Sequence, residues 1–235
     1  MQRYFSISND VIKLDDTDVH HILNVMRGRI KDQFEIVFNN KIYLMEITNN
    51  KPLEYKNIKT YSSNAEMPCK LTLILAPVKG GHLEFALQKA TELGVDEIIF
   101  LNTKYGVVKI DESKLGRYNR ILKEASEQSK RTSIPKLNRI INIKDIKNIK
   151  TDYRYIAYEK EYGGISYLIN DMKKNKIHNP SISFVIGPEG GFSKEEFEEI
   201  RSYGYASIQL GNRILRTETA VCYLCSVFSF LFEGN

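Results

Sequence analysis

From Lys70 onward the chain alternates short apolar runs with longer amphipathic stretches, and this alternation constrains its fold more than any other feature. Residues 71–76, 97–101, 138–142, 153–158, 181–186 and 206–210 read as strands. Residues 82–93, 113–128, 165–173, 192–203 and 217–232 read as helices. Gly94 and Gly204 stand just past two of these helices, where a left-handed residue ends the last turn. Ser193 and Glu196 have the spacing of a capping box at the start of another. Strands that alternate with helices form a mostly parallel sheet covered on both faces, so residues 68–235 are expected to be one α/β domain.

The first sixty residues follow a different grammar. Runs 34–38 and 41–47 are rich in β-formers and flank Asn39-Asn40, a hairpin signal. A helix is expected at about 16–27, with Asp15 or Asp16 as its N-cap. A small β-barrel-like module over 1–67 fits, joined to the larger domain through the polar stretch 62–68. The chain has 235 residues, 42% hydrophobic and 27% charged, enough for a core without covalent staples. Three cysteines (Cys69, Cys222, Cys225) are too few for a disulfide framework and fit a reducing compartment. No apolar run reaches the roughly 20 residues needed to cross a bilayer, and the N-terminus lacks a signal-peptide apolar region. A soluble, cytoplasmic protein with no membrane partner is expected.

The net charge of +5 is unevenly placed. Residues 1–67 carry nine basic and nine acidic side chains, whereas 114–160 carries thirteen basic and five acidic. Such a stretch is either a solvated lysine-rich face or a phosphate-binding one.

Two segments carry the chemistry. Residues 185–193 read Val-Ile-Gly-Pro-Glu-Gly-Gly-Phe-Ser, so a buried strand runs into three glycines and then a capped helix. Open α/β sheets bind ligands at such strand C-termini, and glycines let a ligand approach the backbone. Residues 209–220 read Gln-Leu-Gly-Asn-Arg-Ile-Leu-Arg-Thr-Glu-Thr-Ala, again a strand, a glycine and a helix start. Glu218 in the first turn suits the helix dipole, but Arg213 and Arg216 oppose it, which points to an anion or a paired carboxylate. No dinucleotide fingerprint and no Walker loop is present. Cys222 and Cys225 lie on an apolar helix without a second Cys/His pair and read as core, and no metal site is expected. His20 and His21 point about 100° apart on a helix and do not chelate together. His82 and His178 stand alone.

Taken in order, these segments resemble the RsmE family of small-subunit ribosomal RNA methyltransferases, within the SPOUT superfamily. The matching pieces are Arg3-Tyr4-Phe5, His20-His21 with Met26-Arg27, residues 88–94 (Gln-Lys-Ala-Thr-Glu-Leu-Gly), Glu124-Ala125-x-Glu127-Gln128-Ser129-x-Arg131, and the stretches 186–193 and 210–220. Together they cover nearly the whole chain. Two departures stand out. Gly81-His82 occupies a place where the family often has Asp-Arg, and Thr103-Lys104-Tyr105-Gly106 one where it often has Thr-x-Arg-Ser.

The resemblance implies an N-terminal PUA-like β-barrel over 1–67 and a trefoil-knotted α/β domain over 68–235. It implies a homodimer that transfers a methyl group from S-adenosylmethionine to N3 of one uridine in 16S ribosomal RNA. The cofactor-binding residues would be Ile186, Gly187, Pro188, Glu189, Gly190, Gly191, Leu210, Gly211, Ile214, Leu215 and Thr219. Arg216, Glu218 and Arg213 would serve catalysis, by charge beside the forming uracil anion or by taking its proton. Arg3, Arg27, Arg29, Lys130 and Arg131 would contact RNA. The competing readings are a related SPOUT enzyme acting on tRNA or another base, and an RNA-binding module without catalysis.

Overall fold

The computed structural model describes residues 1–159, 164–175 and 177–233. Lys160, the last residue of the basic stretch, lies outside them. The internal contacts divide into two units, Met1–Glu66 with Lys123–Ile134, and Met67–Leu122 with Pro135–Asn235.

The first unit contains β1 (Arg3–Phe5), α1 (Asp16–His20), β2 (Gln33–Phe38), β3 (Lys41–Asn50) and β4 (Leu53–Tyr61). The strands form one sheet in the order β1-β2-β3-β4, with β1 parallel to β2 and the other pairs antiparallel. The hairpin between β2 and β3 turns on Asn39 and Asn40, both at positive φ (49° and 58°) as a two-residue primed turn requires. Asp15 caps α1, its carboxylate accepting the Asp18 N–H at 2.7 Å. The helix expected to run on to residue 27 is α-helical only to His20. It continues as a π-helical turn, His21–Val25, closed by Met26 N–H donating to the His21 carbonyl. Tyr4 Oη meets His21 Nδ1 at 2.8 Å beside this wider turn. Tyr4, Phe34, Ile36, Met45 and Ile47 form the core under it, with Leu14 and Ile22.

Segment Lys123–Ile134, which the sequence grammar leaves in the larger domain, packs with this unit because buried charges hold it there. Arg3 donates to Glu35 at 2.8 Å and to the carbonyls of Lys130 and Arg131. Arg131 pairs with Glu66 at 2.7 Å, and Glu66 also accepts the N–H groups of Thr132 and Ser133. Burial alone would raise Glu66 and Glu35. Hydrogen bonds from Arg131, and from Arg3 and Tyr61, outweigh it and hold both carboxyls below their usual range.

A third cluster is less well matched. Lys123 lies 2.5 Å from Asp18 and 3.3 Å from both Asp15 and Glu127. One oxygen each of Asp18 and Glu127 has no hydrogen-bond partner among the described residues. Burial pushes the Glu127 carboxyl up to about 7, against the pull of Lys123.

The second unit is the expected α/β layer. Its elements are β5 (Lys70–Leu75), α2 (Gly81–Glu92), β6 (Glu97–Asn102), α3 (Leu115–Gln128), β7 (Lys136–Asn142), β8 (Tyr153–Ala157), α4 (Ile165–Asn175), β9 (Ser181–Ile186), α5 (Lys194–Ser202), β10 (Ala206–Ile208) and α6 (Thr217–Glu233). The C-terminal end of α3 belongs by its contacts to the first unit. The sheet order is β10-β8-β9-β5-β6-β7, and every paired strand is parallel. The inner strands are almost wholly buried, so they read as continuous apolar runs rather than alternating ones. Ser193 and Glu196 form the expected capping box at α5. No described helix is long and apolar enough to cross a membrane.

The charge clusters of the first unit give a pH signature. Glu127 binds its proton more tightly when folded, so its protonated form favours the native state. That contribution is lost as pH rises from about 4.5 through about 7. Glu35 and Glu66, held low, contribute in the opposite sense and are lost on acidification. Thermal melts between pH 5 and pH 8 should therefore show Tm declining toward pH 8, and Glu127→Gln should flatten that decline. An unchanged slope in the variant would show that Glu127 titrates normally.

Candidate functional site

Because all six strands are parallel, the C-terminal ends of β8, β9 and β10 lie on the same side of the sheet. A cleft opens there, at the strand ends where open α/β sheets bind ligands. Ala157, Tyr158 and Glu159 line it after β8, and Ile186, Gly187, Pro188, Gly191 and Phe192 after β9. The stretch after β10 supplies Gln209, Leu210, Gly211, Arg213, Ile214 and Leu215, and α6 supplies Thr217 and Ala220. Its walls thus combine apolar side chains and glycine backbone with the polar Glu159, Gln209, Arg213 and Thr217.

Two glycines are fixed by geometry. Gly211 sits at φ 107°, a conformation that side chains rarely adopt. A Cβ on Gly187 would lie 2.9 Å from the Phe192 ring, so the absence of a side chain lets Phe192 close the loop over the end of β9. The Thr217 hydroxyl donates to the Gly187 carbonyl at 3.0 Å and ties the start of α6 to the end of β9.

Of the residues expected to bind a cofactor, Ile186, Gly187, Pro188, Gly191, Leu210, Gly211, Ile214 and Leu215 line this cleft. Glu189, Gly190 and Thr219 do not. Glu189 accepts the Lys79 N–H at 3.4 Å, Gly190 stands against Tyr105, and Thr219 faces outward. Arg213 lines the cleft, and Arg216 is exposed in the same segment between the lining residues Leu215 and Thr217. Neither arginine has a carboxylate partner among the described residues, so both remain available to an anion. Glu218 is taken by His82, Nδ1 to Oε1 at 3.0 Å. Glu218 does not line the cleft, and His82, isolated in the sequence, meets it where the first turns of α2 and α6 come together.

Ala157, Tyr158 and Glu159 are not among the residues that the sequence singles out, although the residues after that strand read Tyr-Glu-Lys-Glu-Tyr-Gly-Gly. Only the strand order, with β8 between β9 and β10, brings them in. Two RNA-contact candidates are corrected by burial. Arg3 is 4% exposed and Arg131 is 2% exposed, and their guanidiniums are spent on Glu35 and Glu66. Lys130 is partly engaged, its Nζ bonded to the Met1 carbonyl. Arg27 and Arg29 are exposed and carry no ion pair among the described residues.

The family profile described as an RNA methyltransferase domain matches residues 65–229, and that of an RNA methyltransferase PUA domain matches 14–54. The ribosomal RNA small subunit methyltransferase E of Bacillus subtilis is 32% identical, over 99% of this chain and 98% of its own length. This chain belongs to the ribosomal RNA small subunit methyltransferase E family. The family member from Mesomycoplasma hyopneumoniae is 36% identical over 90% of both chains. The Neisseria gonorrhoeae member, solved bound to S-adenosyl methionine, superposes with a TM-score of 0.85 at 27% identity, covering 99% of this chain and 98% of its own. A Legionella pneumophila protein solved with bound cofactor SAM gives 0.84 at 28% identity over 97% and 96%.

The α6 tether is testable without a ligand. Thr217→Val removes the donor to the Gly187 carbonyl at a buried position, which should cost about 1–3 kcal/mol in urea unfolding. Unchanged stability would mean that water replaces the hydroxyl at no cost.

Proposed function

We propose that this chain transfers a methyl group from S-adenosylmethionine to N3 of a uridine in 16S ribosomal RNA of the small subunit. The observation that carries the reading is the cleft at the ends of β8, β9 and β10, in a chain that shares its fold along nearly its whole length with S-adenosylmethionine-bound relatives. The residues present suit the cofactor. Ile186, Leu210, Leu215 and Ala220 would face its adenosyl group, and the backbone around Gly187 and Gly211 would hold its polar edge. Bound there, the cofactor supplies an electrophilic methyl on a sulfonium.

The rest is done by this chain's own groups. N3 of uracil is a weakly acidic imide that must lose its proton as it is methylated. Arg213 and Arg216, unpaired near the cleft, supply positive charge where the anion forms. Glu218, with His82 against it, accepts the proton or holds the substrate edge. Glu189, Gly190, Gly191 and Thr219 complete the proposed binding segments, and Arg27, Arg29 and Lys130 the RNA contacts.

We extend the reading to the assembly. The N-terminal sheet closes as a PUA-like barrel over about 1–67, and the larger domain over 68–235 is trefoil-knotted and pairs as a homodimer in the cytoplasm. Large apolar side chains left open near the cleft and along one stripe of α6 support the pairing. Ile214 is 87% exposed and Phe230 72%, and Tyr223 lies one heptad before Phe230.

Nucleoside mass spectrometry of ribosomal RNA from a deletion strain should show the loss of 3-methyluridine, restored by the wild-type gene. Persistence of that nucleoside would point to tRNA or another base. Gly211→Val, forced into a positive φ, should lose S-adenosylmethionine binding by calorimetry while remaining folded. Arg216→Ala should bind cofactor, melt near wild type and lose about 10²–10³ in single-turnover rate. Arg216→Lys should recover only part, since Lys keeps the charge and loses the planar fork. Near-normal turnover in Arg216→Ala would shift the assignment to Arg213.

A further inference from the structure

The glycine loop after β9 has a second flank. In the sheet order β5 and β6 follow β9 on the side away from β8 and β10, so the stretches leaving β5, β6 and β9 are neighbours at one end of the sheet. Hydrogen bonds join them. Lys79 N–H, after β5, donates to Glu189 Oε1 at 3.4 Å. Lys104 N–H, after β6, donates to Glu196 Oε1 at 2.6 Å. The other oxygen of that carboxylate accepts the Ser193 N–H at 2.9 Å, so the capping box of α5 also anchors the turn after β6. Gly106 N–H closes this turn on the Thr103 carbonyl at 3.2 Å, and a Cβ on Gly106 would lie 2.8 Å from Thr103 Oγ1.

These ties hold Tyr105 in place and leave its ring open. A Cβ on Gly190 would stand 3.0 Å from the Tyr105 Cβ, so the glycine admits the tyrosine. Gly190 lines no part of the cleft, and this approach accounts for it. Tyr105 is nonetheless 46% exposed, and Val107 beside it is 62% exposed. Two cations frame the ring's surroundings. Lys104 Nζ lies 5.7 Å from the ring centre, and its partner Glu195, at 3.7 Å, is as exposed as the lysine, a weak and exchangeable pair. Lys79 is exposed and has no ion pair among the described residues. The neighbouring carboxylates of Glu189 and Glu196 are engaged by backbone N–H groups.

We infer that Tyr105 is a substrate-positioning residue, whose ring stacks a base of the RNA strand next to the methylated nucleotide. The inference rests on the proposed RNA methylation and adds to it a contact on the flank of the glycine loop opposite the cofactor cleft. Every base has a flat π-face, and an aromatic ring beside lysines meets both that face and the adjoining phosphate. A protein segment would cover the ring and Val107 but leave Lys79 and Lys104 unmatched. Duplex RNA keeps its bases stacked and offers no free face. A stacking contact made equally in the bound and transition states acts on KM and leaves kcat alone.

The test uses the full chain, labelled S-adenosylmethionine and small ribosomal subunits from a deletion strain. Tyr105→Leu keeps an apolar side chain and loses the ring. It should raise KM for the subunits at least about fivefold and leave kcat within about twofold of wild type. Tyr105→Phe should restore KM, because the face and not the hydroxyl makes the contact. S-adenosylmethionine affinity by calorimetry and Tm should match wild type in both variants. A wild-type KM in Tyr105→Leu would overturn the inference. So would a KM raised equally in Tyr105→Phe, or a loss of cofactor affinity or Tm that tracks the KM. Those outcomes leave the methylation reading standing, whereas a wild-type chain that transfers no methyl group to the subunits would overturn that reading and this inference with it.

Discussion

A parallel sheet sends every strand's C-terminus to one side, and in this chain that rule decides where chemistry can happen. Pairing β8 with both β9 and β10 sets three strand ends next to one another, and their loops have nowhere to go but around a common cleft. The Thr217 hydroxyl on the Gly187 carbonyl then pins α6 to the same spot. Remove the parallel order and the glycine-bearing loops would still be turns, but they would not face each other.

Charge is used differently in the two units. In the first, Arg3, paired with Glu35, donates to the carbonyls of Lys130 and Arg131, and Arg131 pairs with Glu66, so buried charges hold Lys123–Ile134 in the unit. A buried pair of this kind contributes modestly to stability, yet breaking one leaves an uncompensated buried charge, a cost of several kcal/mol. The Lys123 cluster is less balanced, with three carboxylates around one ammonium, and burial lifts Glu127 as a result. In the second unit the arginines near the cleft are left open instead. Arg213 and Arg216 stand by a helix start, where their charge is locally unfavourable, and no carboxylate offsets them among the described residues.

The basic stretch 114–160 illustrates how little net charge says about a surface. Arg117 pairs with Glu84, Lys123 with Asp18, Arg131 with Glu66 and Arg139 with Glu97, so much of its charge is consumed internally. The N-terminal unit has the opposite character. Residues 1–67 sum to zero, but Glu35 and Glu66 are committed to buried partners, and 27–31 keeps three cations unpaired. Free charge, not formal charge, is what a phosphate backbone meets.

Local structure was readable from neighbouring residues. Period and capping are nearest-neighbour effects, so the Asn39-Asn40 turn, the Ser193–Glu196 box and the glycine-marked strand ends after 186 and 210 were legible in the residues. Whatever depended on strand order or burial emerged only in the folded chain. Ala157, Tyr158 and Glu159 enter the cleft because β8 lies between β9 and β10. His82 reaches Glu218 because the starts of α2 and α6 meet. Arg3 and Arg131 turn inward because buried carboxylates wait for them, and the helix from Asp16 widens into a π turn beside Tyr4. Each of these joins residues far apart in the chain, and no local pattern records which distant side chain will lie 3 Å away.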